Sequence, residues 1–356
     1  MMTSPLSKYA FINAKLRARI SNILPDSTFS QLAKAASLDA ALAVLRDTPF
    51  ARLEAIYSET GDLKQAELEL LKEEIDLYKN IERHLHEDSR PVVDSLLYRF
   101  EIDNLKNAIR IYFNRKVCKR SDESAVHYVL YDAIIHDIPI DLVINAESFD
   151  EVAGLCEGTP YAQIIRKYYH TVESDESLFR MEIALDHFYY NNLLSAIKEL
   201  DSKDREIALR LVGVEIDLQN ISWIIRFRSF YDLPLEQVLA VVIPGGFGVN
   251  KAAIDELYRA QNVTAVLQRF VKDKYPGLSA LLASQTSDST SRLLLISRIL
   301  EEIRNQEVTR ILAGYPFSIG IILAYFMLKN GELKRVRMIL NAKQYGRPEE
   351  RIGGII

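Results

Sequence analysis

The chain has 356 residues, of which 48% are hydrophobic and 26% are charged. This balance is typical of a globular protein that can bury a large core, and it excludes a disordered or fibrous one. The 44 basic and 49 acidic residues leave a net charge of −5, so the composition gives no electrostatic reason to expect a nucleic-acid partner.

Helical periodicity dominates the chain from its first long element onward. Residues 63–86 carry apolar side chains three and four positions apart, which predicts a long amphipathic helix. The same spacing predicts further long helices over 182–200 and 293–306. Serine or threonine precedes proline at Ser4, Thr48 and Thr159, a pairing that favours helix starts because the hydroxyl caps a free backbone N–H and proline needs none. Since two-residue alternation is scarce, the sequence predicts an all-α fold.

A short motif occurs three times along the chain. Residues 100–105 (FEIDNL) return as residues 216–221 (IDLQNI), and a more divergent copy lies at 332–336 (ELKRV). Its acidic residue advances by 116 positions (217 minus 101) and then by 115 (332 minus 217). A second marker, Thr-Pro-aromatic-Ala, begins at Thr48 and again at Thr159, 111 positions later (159 minus 48). Two markers with similar spacing predict a triplicated unit of about 115 residues.

The predicted repeats span residues 1–118, 119–235 and 236–356. Each repeat begins with short helices, continues with a long amphipathic helix and closes with the helix that carries the motif. The motif helices are predicted near 91–115, 205–227 and 332–341. Because the joints are not rich in glycine or serine, we expect the three lobes to pack into one rigid body.

Within each motif helix, the acid and the residue three positions later share one helical face with the apolar residues that follow. A buried polar pair requires hydrogen-bond donors, which we expect a neighbouring helix to supply. The pair either fixes helix register inside its lobe or lines a concave surface that grips a partner. A catalytic role is disfavoured, because three symmetric acids do not build one asymmetric active site. The six candidates are Glu101, Asn104, Asp217, Asn220, Glu332 and Arg335.

Two other segments have functional and structural interpretations. Residues 311–328 are apolar enough to be tested as a membrane span, but Pro316 is read as the start of a new helix, which leaves only a buried core helix. Residues 244–248 (PGGFG) resemble a phosphate-binding loop. They lack a following Lys-Ser/Thr and a strand–helix frame, so we interpret them as a turn.

No metal or cofactor site is predicted. His84 and His86 lie two positions apart and so point to different sides of a helix, which is poor geometry for one metal ion. Glu123 and His127 could share a helical face, but no third ligand accompanies them at matching spacing.

Several segments together resemble the C subunit of prokaryotic V/A-type rotary ATPases, a family called d in eukaryotes. They occur in the same order across essentially the whole chain. Arg335 departs from the asparagine found at the equivalent position of the other two motif copies. The matching segments are residues 8–17 (KYAFINAKLR), 101–106 (EIDNLK), 182–190 (EIALDHFYY), 215–221 (EIDLQNI), 316–320 (PFSIG) and 332–337 (ELKRVR).

The resemblance implies a funnel of three helical lobes around a pseudo-threefold axis with a central cavity. It implies a non-catalytic central-stalk subunit, present once per complex, on the cytoplasmic face of the membrane. Its partners would be the rotor shaft subunits and the membrane rotor ring, and its work would be to transmit torque during ATP-coupled ion transport. The resemblance implies no cofactor, no small-molecule substrate and no nucleic acid.

Two alternatives remain open at the level of sequence. The chain could be a free-standing α-helical repeat scaffold that serves another complex. It could also be an all-α enzyme that uses acids near His84, His86 or His127.

Overall fold

The structure is a computed structural model that describes residues 4–119, 129–227, 233–249, 251–260 and 289–346, together with residues 266, 275 and 278. Glu123 and His127 lie outside these residues. In the described part, the regular elements longer than one turn are all α-helices, which confirms the predicted all-α class. They are α1 Pro5–Ile20, α2 Asp26–Lys34, α3 Leu38–Val44, α4 Ala51–Thr60, α5 Leu63–Glu82, α6 Arg90–Lys116, α7 Ile140–Asn145, α8 Phe149–Leu155, α9 Tyr161–Asp175, α10 Phe179–Lys198, α11 Ser202–Arg226, α12 Leu235–Val241, α13 Lys251–Arg259, α14 Ser289–Ala313 and α15 Gly320–Gln344.

The chain divides into two compact units. A middle unit covers Thr60–Glu199, and a terminal unit combines Met1–Glu59 with Leu200–Ile356. The three-repeat division of the sequence stays a prediction beside this division.

The middle unit is built around α6. This helix packs against α5, α7 and α10, while α9 packs against α8 and α10. Fifteen of its 27 residues are buried, so contacts surround most of its circumference. Only a small part of α6 therefore remains as the polar face that a surface helix would keep. The polar residues of α6 that do enter the core need hydrogen-bond partners there.

The terminal unit is built around α15, which packs against α1, α2, α3, α11 and α14. Here the structure differs from the sequence-based expectation. The sequence predicts a helix starting at Pro316 and a separate motif helix over 332–341, but one helix runs from Gly320 to Gln344. Gly331 costs a helix interior about 1 kcal/mol, and burial of residues 320–327 on one side and of Val336, Ile339 and Leu340 on the other offsets this cost.

Polar caps place several helix starts as the sequence predicts. The Ser4 hydroxyl accepts a hydrogen bond from the Ser7 N–H at the start of α1. At the repeated Thr-Pro marker, the Thr48 and Thr159 hydroxyls accept from the N–H two residues later and donate to the carbonyl three residues earlier. The two copies therefore form the same turn, with α9 beginning directly after Pro160 and α4 two residues after Pro49.

Candidate functional site

The first motif copy holds a loop of the chain through Glu101, which is 4% exposed on α6. Its Oε2 accepts hydrogen bonds from the backbone N–H groups of Ile135 and His136 at 2.8 and 2.7 Å. Its Oε1 accepts from the Tyr161 hydroxyl at 2.7 Å and lies 2.6 Å from His136 Nδ1. Four groups thus surround one buried carboxylate, which satisfies the charge that burial would otherwise make costly.

Asn104, one turn further along α6, binds a single residue of the same segment at both ends of its amide. Its Oδ1 accepts from the Leu130 N–H at 2.7 Å, and its Nδ2 donates to the Leu130 carbonyl at 2.9 Å. The side chain therefore supplies both bonds that a neighbouring strand would give to that residue. We call Glu101, Asn104 and the bound segment 130–136 the first clamp.

The second motif copy repeats this arrangement on α11. Asn220 Oδ1 accepts from the Ile243 N–H and its Nδ2 donates to the Ile243 carbonyl, both at 2.9 Å. The Asp217 carboxylate accepts from the Gly248 N–H at 2.6 Å and from the Val249 N–H at 3.1 Å. We call these two side chains and the segment 243–249 the second clamp.

The contact with Asp217 explains the role of the glycine-rich loop 244–248. Two successive backbone N–H groups at its end point at an anion, as they would in a phosphate-binding loop, but the anion is the chain's own Asp217. A Cβ built on Gly246 would lie 2.0 Å from Asp217 Oδ1. Glycine is thus needed at this position because the carboxylate approaches the backbone too closely for any side chain.

The third motif copy uses different chemistry, as the Arg335 substitution suggests. Glu332 Oε1 accepts from the Leu24 N–H at 2.7 Å, and its Oε2 accepts from Lys329 Nζ at 2.9 Å. The Arg335 guanidinium lies 3.8 Å from the centre of the Phe29 ring and donates twice to Asp26 Oδ1 at 3.0 Å. We call Glu332, Arg335 and the segment 24–29 the third clamp.

Each clamp joins two of the predicted repeats. The motif helix of the first repeat binds a segment of the second, and that of the second repeat binds a segment of the third. The motif helix of the third repeat binds a segment of the first. Leu24 lies 111 positions before Ile135 (135 minus 24), the same spacing that separates Thr48 from Thr159, so the bound N–H groups are equivalent in sequence. The contacts therefore follow a cyclic order among the predicted repeats. The sequence analysis expected the donors to come from a neighbouring helix, and most of them are instead backbone N–H groups of non-helical segments.

Two ion pairs each join a motif helix to the long helix of the next predicted repeat. The motif helix contributes the basic residue in one pair and the acidic residue in the other. Arg99 on α6 pairs with Asp186 on α10 at 3.2 Å. Glu215 on α11 accepts from Arg304 on α14 at 2.8 and 3.2 Å. Position 215 follows position 99 by the same 116 residues that separate Glu101 from Asp217. Because the signs are exchanged, Arg99 would meet Arg304 if α6 packed on the wrong long helix, so the charges favour the native pairing.

Reversing the charge of Glu215 is expected to lower the free energy of unfolding by about 1 to 2 kcal/mol, since the pair is partly exposed. The second substitution of Glu215→Arg/Arg304→Glu should recover more than half of that loss. Urea denaturation at low salt measures both variants. A double variant as unstable as the sum of its single variants would show that this pair has no part in choosing the partner helix.

Sequence reasoning missed a further buried carboxylate that joins distant segments. Asp204, 4% exposed near the start of α11, accepts from the Tyr9 hydroxyl at 2.6 Å and from Lys8 Nζ at 3.2 Å. Its other oxygen accepts from the Ile319 N–H at 2.8 Å. Asp204 therefore ties α1 to the segment before α15. Its one sequence signal was that Lys8 and Tyr9 open the first segment of the family resemblance.

The chemistry of these groups is that of attachment. Burial raises the pKa of the Tyr161 hydroxyl above its ordinary value, and the negative charge of Glu101 raises it further, so this hydroxyl stays protonated as a donor. Within the residues that the structure describes, no group of three or more histidine, cysteine, aspartate or glutamate side chains could hold a metal ion.

Comparison with known proteins gives a match over nearly the whole chain. The family model of the ATP synthase (C/AC39) subunit matches residues 12–355. The C subunit of the A-type ATP synthase of Methanosphaera stadtmanae is 25% identical over 336 residues, covering 94% of this chain and 84% of that protein. The corresponding proteins of Methanocaldococcus jannaschii and Pyrococcus horikoshii are 23% and 22% identical and cover 98% and 93% of this chain, with 86% and 85% of their own length covered.

Proposed function

The chain belongs to the ATP synthase (C/AC39) subunit family, and we propose that it is the C subunit of an A-type ATP synthase. In this role it is a non-catalytic part of the central stalk, present once per complex. It forms a socket that receives the rotor shaft subunits on one side and sits on the membrane rotor ring on the other. The observation that carries the proposal is the family match from residue 12 to residue 355.

The cyclic order of the clamps supports a three-lobed socket. In the funnel that the family resemblance implies, each lobe would bind the next and the third would bind the first, so that the lobes would close around a common axis. A closed set of lobes has no free end that can swing away under load. This arrangement suits a part that transmits torque between a shaft and a ring.

The chemistry of the clamps supports stiffness. Glu101, Asp217 and Glu332 are each at least 92% buried, and each accepts at least one backbone N–H from a segment far away in the sequence. Pulling such a segment away would leave a buried carboxylate without its donors, which typically costs several kcal/mol. Each joint therefore resists small displacements more strongly than apolar contact alone would.

A location at the membrane surface follows from the assembly rather than from the chain's own helices. Among the residues described, no helix combines the length and the apolar character needed to cross a bilayer. We propose that the protein is held at the cytoplasmic face by its neighbours in the complex.

The test is recovery of the neighbouring subunits from native membranes. An affinity-tagged copy, expressed in place of the native protein, should bring down the shaft and ring subunits, which mass spectrometry identifies. A tagged copy carrying Asp217→Ala and Glu101→Ala serves as the control, because loss of both clamps should abolish recovery. Purification without any subunit of a rotary ATPase would contradict the proposal and favour a free-standing scaffold.

A further inference from the structure

A cavity of about 720 Å³ opens in the middle unit where several helices begin or end. The last turn of α5 and the last turn of α10 form two of its sides, and the first turns of α6 form a third. Residues 134 and 135 of the first clamp's bound segment complete the lining. None of the clamp contacts uses the side chains that face this space.

Asp94 on α6 is the charged group of the lining that needs an ion-pair partner. It is half-buried at the cavity, and it makes no hydrogen bond and no ion pair among the described residues. This distinguishes it from Asp186 in the same unit, which binds both Lys106 and Arg99. Burial and the nearby Glu82 raise the pKa of Asp94 to about 6, while Arg90 opposes the rise. The carboxylate is therefore ionised at neutral pH but incompletely compensated.

The charges around Asp94 do not neutralise it. On α5, Lys79 is bound to the Ala133 carbonyl at 3.0 Å, and Glu82 lies 3.9 Å from Arg90. Arg83 at the end of α5 is exposed, and so is Glu199 at the end of α10. The formal charge of the cavity lining is −1, from two basic and three acidic side chains.

Two helix ends add negative potential to the same space. Arg83 is the C-cap of α5 and Glu199 is the C-cap of α10, and both residues line the cavity. The unpaired carbonyls at a helix C-terminus carry a partial negative charge that favours a cation.

The remaining walls are mixed: apolar side chains lie beside Asp94, and Asn192 and Ser195 add polar groups. Leu97, Tyr98, Ile134 and Ile135 line the cavity beside Asp94. A metal ion would need several oxygen or nitrogen ligands, and among the described residues no group of three or more histidine, cysteine, aspartate or glutamate side chains could supply them. A lysine or arginine side chain fits better, because its methylene stem can lie on apolar surface while its charged end reaches a carboxylate.

We propose that this cavity receives a lysine or arginine side chain from another subunit of the same ATP synthase, with Asp94 as its ion-pair partner. The proposal rests on the proposed function, since the partner is a neighbour in the complex. It adds a defined point of attachment, separate from the six motif residues, and it makes the attachment sensitive to acidification.

The experiment measures binding of the purified chain to the complex from which this subunit has been removed, between pH 5 and pH 8. Wild-type affinity should be constant above pH 7 and should fall as the pH is lowered through about 6, because protonation removes the charge that the cation pairs with. Asp94→Asn should bind about tenfold more weakly at pH 7.5. Its affinity should lack the fall near pH 6.

Two further variants separate the possible outcomes. Asp76→Asn removes an exposed carboxylate of α5 away from the cavity and should bind as the wild type does. Asp94→Glu keeps the charge and should restore most of the affinity and the pH dependence. Equal binding by Asp94→Asn and the wild type at every pH would overturn the cavity proposal and leave the proposed function intact. Absence of wild-type binding at all pH values would overturn both.

The folded state of the Asp94→Asn protein is checked by its melting temperature. At pH 7.5 the substitution should raise it, because a buried, uncompensated charge is removed. The native pKa lies above the ordinary aspartate value, so the wild-type protein gains stability as the pH falls through 6, and the difference between the two proteins should shrink by pH 4.5. A lower melting temperature for the variant at pH 7.5 would mean that Asp94 is already paired within the chain, which contradicts the proposal.

Discussion

Asn104→Leu is expected to lower the free energy of unfolding of the middle unit by about 2 to 4 kcal/mol. Leucine has a similar volume but cannot bond the Leu130 N–H and carbonyl, which would both remain buried without a partner. Each unsatisfied buried group costs about 1 to 3 kcal/mol. Asn220→Leu should have the same effect on the terminal unit, because its amide makes the same two bonds with Ile243.

Hydrogen exchange followed by mass spectrometry is the suitable measurement, since a chain of two compact units need not unfold in one step. Peptides over 130–136 should lose protection in Asn104→Leu, and peptides over 243–249 should lose it in Asn220→Leu. Asn191→Leu is the matched control, because Asn191 is exposed on α10 and should change stability by less than about 0.5 kcal/mol. Unchanged protection of both segments would show that the amides do not hold them.

Combining the two asparagine substitutions should also weaken recovery of the shaft and ring subunits. Each clamp has its own bonded segment, so the two losses should add. The two losses fall on different compact units, so both units are weakened at once and the assembled socket should fail even where helices persist. Normal recovery by a double variant with reduced protection would separate the clamps from the proposed mechanical role.

Gly246→Ala is expected to destabilise the terminal unit by about 2 to 4 kcal/mol. The added Cβ would lie 2.0 Å from Asp217 Oδ1, so the carboxylate must move away and release the Gly248 and Val249 N–H groups. Urea denaturation and exchange at the Gly248 amide both report this change.

Gly331→Ala is the matched control for this substitution. Nothing lies within 4 Å of a Cβ built on Gly331, and alanine favours a helix interior, so stability should rise by about 1 kcal/mol. If the clash with Asp217 is the cause, adding Gly246→Ala to an Asp217→Ala protein should cost little more. A full additional loss in that double variant would place the effect of Gly246 elsewhere.

The helical content and the motif faces could be predicted because they depend on local periodicity. The side chains at 101, 104, 217 and 220 lie on one face, as three- and four-residue spacing requires, and all four are buried. The extent of α15 was not predictable from the same signals. Lys329, Asn330 and Gly331 read as a helix end, but they lie within α15, which packs against five other helices.

The sequence pattern also could not predict the residues that complete each clamp. Most donors to the motif acids are backbone N–H groups, such as those of Ile135, Gly248 and Leu24. Every residue except proline has such a group, so no residue type marks the position. His136 and Tyr161 do have distinctive side chains, but nothing in their spacing links them to Glu101.

The sequence by itself determined that this protein is all-helical, that one motif recurs at intervals of 115 to 116 residues, and that the chain resembles one family along its length. These properties depend on the order and spacing of residues along the chain. The tertiary structure alone decided that the motif acids and amides bind loops distant in the sequence, that a glycine loop holds the chain's own Asp217, and that Asp94 faces a cavity without a partner among the described residues. Such contacts join residues 23 to 308 positions apart, and the free energy of a buried polar group depends on which distant atoms surround it.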